Sequence, residues 1–240
     1  MSNRSHRFNN GAICISIIGR NHHLEWLSIT SVERQQKNKH RYNIFINDVF
    51  ALSVHEDMLV KYRLLKGEQI ETANISEIVR ADELHVAYLK AIRFLSIRPR
   101  STYEMKVKLK QLGYDPDVIQ ITLDKLFQLN YLNDEEYTKN IVEQKIHYQK
   151  KGRLLIKQEL KQKGVPTEHI SRFLDGVDNE EEFQIAMQLA SKKWENSFGD
   201  EITRKRKLIG FLLRRGYSST IVQQIVRKLN VGIDEEDAFS

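Results

Sequence analysis

The chain has 240 residues, 40% of them hydrophobic and 29% charged, the balance of a folded, water-soluble protein rather than a disordered one. No apolar run approaches the ~20 residues that cross a bilayer, and the polar, basic start is followed by no apolar signal-peptide core, so export is not expected and a cytoplasmic protein is. A single cysteine, Cys14, excludes an internal disulfide, and the 38 Lys and Arg against 32 Asp and Glu leave a modest net charge of +6.

In chain order, residues 1–72 read as a small β-rich domain. Ile13, Ile15 and Ile17 alternate with smaller residues, and Cys14 within that run reads as a small buried hydrophobe. Leu24, Trp26 and Ser28 continue as a second alternating run. Gln35 to His40 is a polar loop. Tyr42, Ile44 and Ile46, then Asn47-Asp48, then Phe50, Leu52 and Val54 form a hairpin pattern, because period two puts one face in a core and Asn-Asp tolerates the turn. His55-Glu56-Asp57 opens a short helix through Leu64, closed by Lys66-Gly67.

From Ala73 helical periodicity takes over, in three similar units aligned on Gly113, Gly164 and Gly216, which are 51 and 52 residues apart. Six apolar columns surround each glycine. They are Met105, Ile156 and Leu208; Leu109, Leu160 and Leu212; Tyr114, Val165 and Tyr217; Ile119, Ile170 and Val222; Leu123, Leu174 and Val226; and Leu126, Val177 and Leu229. Their spacing is one helix face on each side of a turn. Ser101 to Glu104, Asn133 to Glu136 and Asp178 to Glu181 fit capping boxes, and Asp115-Pro116 places a cap before proline. The expected fold is mainly α: tandem three-helix, helix-turn-helix-like repeats in an elongated array at 73–132, 133–178 and 179–240, the last with an acidic tail.

Catalytic apparatus is missing from the pattern. The eight histidines are scattered, His22-His23 included, and no HExxH, CxxC, EF-hand or phosphate-binding glycine loop occurs. Glu180 to Glu182 and Asp234 to Asp237 read as a helix-start dipole complement and a solvated tail. A non-enzyme with no metal and no cofactor is expected.

Charge is blocked along the chain: net +7 over residues 90–163, −6 over 164–203 and +8 over 204–230. The cations precede each glycine turn. They are Lys106 and Lys110, with Lys108 beside them, in the first unit; Lys150, Lys151, Arg153, Lys157, Lys161 and Lys163 in the second; and Arg204, Lys205, Arg206, Lys207, Arg214 and Arg215 in the third. Repeated on equivalent helices, they can follow a phosphate backbone without reading bases. Residues after the turn suit base reading poorly in Asp115-Pro116-Asp117-Val118 and Pro166-Thr167-Glu168-His169. Only Ser218 to Ile221, with Gln223, Gln224 and Arg227, suit it. A sequence-specific transcription factor reading through the third repeat is therefore the alternative.

The chain resembles the RecX family, regulators of the bacterial recombinase RecA. The resemblance rests on Arg100-Ser101-Thr102-Tyr103-Glu104 with Leu109 and Gly113, and on Tyr131-Leu132-Asn133-Asp134 with Tyr137. It continues in Lys151-Gly152 with Ile156, Glu159-Leu160 and Lys163-Gly164. It covers residues 85–230, with the third unit more divergent and its Asn196 to Glu201 connection longer. The β-rich segment lies outside that shared core and resembles extensions of some members. The resemblance implies a modulator of DNA repair, recombination and the SOS response, and a monomer is expected. Such a protein binds the RecA–single-stranded-DNA filament, and single- and double-stranded DNA without strong sequence preference, and inhibits ATP hydrolysis and strand exchange.

Overall fold

The computed structural model describes residues 26–236, with side chains described as far as Leu229. Cys14, the run of Ile13, Ile15 and Ile17, and His22-His23 lie outside the described residues. The chain divides into two compact units. The first takes the residues through Arg98 and those from Lys106 to Tyr131; the second takes Pro99–Met105 and everything from Leu132.

The first unit opens with strands β1 (Trp26–Arg34), β2 (Arg41–Ile46) and β3 (Val49–His55), the short helix α1 (Glu56–Lys61), strand β4 (Gln69–Glu71) and the long helix α2 (Asn74–Ile97). The sheet is antiparallel, in the order β3-β2-β1-β4. Asn47 and Asp48 both sit at positive φ, 50° and 62°, the type I′ arrangement whose twist matches the flanking strands. The hairpin register that follows pairs Ile46 with Val49 and Ile44 with Leu52, and buries Ile44, Ile46, Leu52 and Val54 as the alternation requires.

Two sequence expectations in this region need correction. In β1 the buried phase is Leu27 and Ile29, while Trp26 is 56% exposed; the stretch carries apolar residues in both phases, and the bulky ring does not mark the inner one. Helix α1 ends at Lys61, not Leu64, because Arg63 adopts φ 48° and breaks the helical path before the Lys66-Gly67 turn. The buried Asp82 carboxylate on α2 accepts from the Arg41 guanidinium at 2.9 Å and from the His55 backbone N–H at 2.6 Å, tying the helix to both hairpin strands. Ile75 and Ile78 complete the sheet's core, and further along α2 packs on α4 (Pro116–Gln128), with Ala87 and Ala91 fully buried one turn apart.

The helical repeats follow from caps and glycines. Helix α3 (Thr102–Gln111) starts from a reciprocal capping box in which Ser101 Oγ accepts from the Glu104 N–H and Glu104 Oε2 accepts from the Ser101 N–H. Helix α5 (Asp134–Glu143) is capped by Asn133 Oδ1, which accepts from the N–H groups of Glu135 and Glu136. It runs into a π-helical turn, Gln144–Tyr148, that the sequence reading did not anticipate. Helices α6 (Arg153–Gln162), α7 (Thr167–Asp175), α8 (Asn179–Glu195), α9 (Glu201–Arg214) and α10 (Ser219–Glu236) complete the chain. The α10 backbone therefore takes in most of the acids that the sequence assigns to a tail. Gly113, Gly164 and Gly216 sit at φ 82°, 67° and 87°, each ending a middle helix in the left-handed region as the alignment requires. All the aligned apolar residues are buried except Val177, Val226 and Leu229, which are partly so.

Candidate functional site

Within the second unit the repeats are joined by one device used twice. The residue twelve positions before a glycine turn docks on the turn of the following repeat. In the first instance Ser101 Oγ donates to the Lys163 carbonyl oxygen at 2.5 Å, and the Thr102 N–H donates to Asp134 Oδ1 at 2.8 Å. In the second, the Gly152 N–H donates to the Arg215 carbonyl and the Leu154 N–H to the Gly216 carbonyl, at 2.9 and 3.1 Å. The Arg153 N–H donates to Glu182 Oε1 at 2.9 Å. The middle helices α3 and α6 thus each have an early N–H satisfied by an acid on the first helix of the next repeat. The approach is close: a Cβ on Gly152 would enter the backbone of Gly216, and one on Gly164 would enter the Tyr103 ring.

This joint commits several cations that the sequence presents as free. Lys163 lies 2.9 Å from Tyr137 Oη and 3.4 Å from Glu104 Oε1. Burial pushes the Tyr137 hydroxyl above its ordinary pKa, and the Glu104 charge adds to the rise against the opposing pull of Lys163. Arg153 Nε is 2.6 Å from Glu182 Oε2, an ion pair without hydrogen-bond alignment, and its guanidinium also reaches Asn179. Lys151 donates to Glu159 Oε1 at 2.6 Å. Arg215 donates to the Gln149 carbonyl at 2.8 Å and lies over the Phe211 ring. Tyr217, buried beside Glu182, donates to the Lys150 carbonyl at 2.9 Å; burial first, then that carboxylate, pushes its pKa up to about 12.

Lys150 reaches across to Gln188 of the third repeat at 3.3 Å. Other cations are held locally: Arg204 stacks on Trp194 and donates to its carbonyl, Lys205 pairs with Glu201, and Lys207 donates to the Phe198 carbonyl. Lys106, Lys110, Lys157, Lys161, Arg206 and Arg214 remain: all are exposed and have no acidic partner among the described residues. Lys106 and Lys110 are in the first unit and the other four in the second. An open hollow of about 530 Å³ adjoins Arg214, lined by Gln149, Lys151, Leu155, Phe211, Arg214 and Arg215. It presents three cations around an aromatic ring, a combination that suits a phosphate carrying a stackable base.

Sequence reasoning missed Lys145. The π-helical turn rotates it inward, where it pairs with Glu159. Burial pushes the Glu159 carboxyl up, but the hydrogen bonds and charges of Lys145 and Lys151 outweigh burial and leave it below the usual carboxylate range. Its stabilising effect is therefore complete above the unfolded-state pKa and disappears as pH falls through the lowered folded value. Replacing Glu159 by Gln strands a nearly buried ammonium and costs about 1–2 kcal/mol at pH 7. Denaturant midpoints of the two proteins should converge as pH drops below the ordinary carboxylate pKa of ~4.3.

At the base-reading positions, Asp117 is paired with Arg80 at 2.7 Å, which holds its carboxyl below the ordinary value. Ser219, Thr220, Gln223, Gln224 and Arg227 on α10 are exposed. No helix among the described residues is long and apolar enough to cross a membrane.

Comparison with known proteins covers every module. "Regulatory protein RecX N-terminal domain" matches residues 28–71, and the first, second and third three-helix domains of RecX match 87–126, 133–174 and 180–226. The N-terminal match corrects the expectation that the β-rich segment lies outside the family's shared core. "Regulatory protein RecX" of Listeria monocytogenes serovar 1/2a is 34% identical over 212 residues, 88% of this chain and 79% of the relative. That of Staphylococcus haemolyticus is 30% identical over 207 residues, 86% and 78% of the two chains. A crystal structure of regulatory protein RecX matches 84% of this chain and 99% of its own, with TM-score 0.63 and 29% identity. That of RecX from Lactobacillus salivarius matches 63% and 99%, with TM-score 0.57 and 26% identity. With its β-domain, its three glycine-turned repeats and these relatives over most of its length, the chain belongs to the RecX family of regulatory proteins.

Proposed function

We propose that the chain is a non-enzymatic, cytoplasmic, monomeric regulator that binds the RecA–single-stranded-DNA filament and inhibits its ATP hydrolysis and strand exchange. Its modules are taken as residues 1–72, 73–132, 133–178 and 179–240. The reading is carried by one observation within a family of regulators. In the second unit, Lys157, Lys161, Arg206 and Arg214 stay exposed without acidic partners among the described residues, while their neighbours are spent on the repeat joints. Unpartnered cations on successive middle helices attract phosphates with no demand on base identity. The groove beside Arg214 adds an aromatic face for an unpaired base. Lys106 and Lys110, one turn apart on α3, supply the same chemistry in the first unit.

The test is fluorescence anisotropy with labelled DNA, comparing recombinase-coated single strands, naked single strands and random duplex across a salt series. Tightest binding to the coated strand, falling steeply with salt, is expected. A strong preference for one duplex sequence, with mismatches costing ~1–3 kcal/mol each, would instead make α10 a base-reading helix.

A further inference from the structure

In the first unit, three side chains from three different elements converge. His55 ends β3, Asp57 lies in the first turn of α1, and His85 lies on α2, 28 residues beyond Asp57. Each of His55, Asp57 and His85 offers one ligand atom within 4.8 Å of those of the other two. Asp57 Oδ2 is 2.7 Å from His85 Nε2 and 3.4 Å from His55 Nδ1. We propose that this His55–Asp57–His85 cluster is a binding site for a first-row transition-metal dication, Zn²⁺ being the natural occupant.

Four features carry the assignment. Two imidazoles and one carboxylate form the donor set that suits zinc, three protein ligands leaving a fourth position for water. Metal–ligand distances near 2.0–2.1 Å imply ligand atoms about 3.3 Å apart around a tetrahedral ion. The two separations to Asp57 Oδ2, 2.7 and 3.4 Å, bracket that value, so on the carboxylate side binding needs a small opening of the His85–Asp57 contact. Asp57 can supply it, because its side chain is 55% exposed while the two histidines are 14% and 18% exposed. His55 Nδ1 carries no proton, since it accepts from the Asp57 N–H at 3.2 Å, and its lone pair turns to a metal once that long hydrogen bond is released. Finally, the surroundings fix the ligands. The His55 backbone N–H donates to Asp82, its ring stacks on His40 at 6.1 Å, and His40 pairs with Glu56 at 2.7 Å.

A metal here replaces two hydrogen bonds, that between His85 and Asp57 and that from the Asp57 N–H to His55 Nδ1, and the freed N–H turns to water. His85 then presents an unprotonated Nε2, with its proton on Nδ1 or released to water. The ion staples α2 to the end of the hairpin. Because protons compete for the imidazoles, affinity should fall as pH drops through the histidine range. Glu56 and Asp57 favour a cation at the cluster, while Arg41, paired with Asp82 beside His55, opposes one.

The experiment titrates the full chain with Co²⁺ at pH 7.5, reading visible absorption and equilibrium dialysis, and displaces Co²⁺ with Zn²⁺. One equivalent with the intense absorption of low coordination is expected. His85→Ala should lower affinity about 100-fold and Asp57→Asn about tenfold, at least the loss that outer-shell changes cause. His147→Ala, on a surface histidine of the second unit, should leave affinity unchanged. In the unaltered protein, ¹⁵N imidazole spectra should show Zn²⁺ moving His55 Nδ1 and His85 Nε2, a readout independent of whether a variant folds. Absence of Co²⁺ uptake, unmoved His55 and His85 resonances, or equal uptake by wild type and His85→Ala would overturn the site.

Discussion

Gly152→Ala should lower stability by about 2–4 kcal/mol, far more than alanine at most surface loops. The backbone at Gly152, φ −75° and ψ 157°, is open to any residue, so no conformational strain is involved. The cost is steric. The new methyl group meets the carbonyl carbon and oxygen of Gly216 and the Tyr217 nitrogen, which belong to backbone and cannot rotate away. Relief requires the second and third repeats to separate, weakening the hydrogen bonds from Gly152 and Leu154 to that turn. Gly113→Ala is the complementary control. Gly113 has φ 82° and open space around its Cβ position, so alanine there costs only the ~1–2 kcal/mol of a left-handed residue. Urea unfolding of both variants compares the two. Equal losses would mean that the turn conformation, and not the inter-repeat contact, governs the joint.

The largest functional effect should come from reversing charge at Lys157, Lys161 and Arg214 together. These residues bear no internal ion pair among the described residues, so the variant should keep wild-type stability within about 1 kcal/mol. Its affinity for the recombinase–DNA filament should drop about tenfold or more, and the slope of log affinity against log salt should flatten by roughly 0.7 per lost phosphate contact. Lys163→Glu should behave differently. It faces Glu104 and Tyr137, so its reversal places two carboxylates at one joint and appears mainly as lost stability. A triple variant that binds with unchanged slope would remove these three cations from the interface.

Those contrasts mark what the sequence can and cannot disclose. The three glycine turns are legible because positive φ restricts the residue type, and the apolar columns around them because helix geometry sets their spacing. The hairpin is legible through Asn47-Asp48 for the same local reason. What fails is tertiary. Lys163 reads as a free cation until Glu104, 59 residues earlier, is placed beside it. Lys145 is turned inward by a π-helical turn that carries no residue signature. In β1, apolar residues occupy both phases, and only pairing with β2 and β4 selects Leu27 and Ile29. The His55–Asp57–His85 cluster is likewise invisible to spacing rules, because its third member arrives from a different element. Of the candidate binding surface, the residue types and helices were readable, but not which cations remain available.

The measurement that bears most directly on the proposed function is single-stranded-DNA-dependent ATP hydrolysis by the cognate recombinase, with this protein titrated in at substoichiometric amounts. Suppression well below one chain per recombinase subunit, lost in the Lys157, Lys161 and Arg214 variant, is the predicted result. Unchanged hydrolysis at every ratio, together with no binding to the filament, would contradict it.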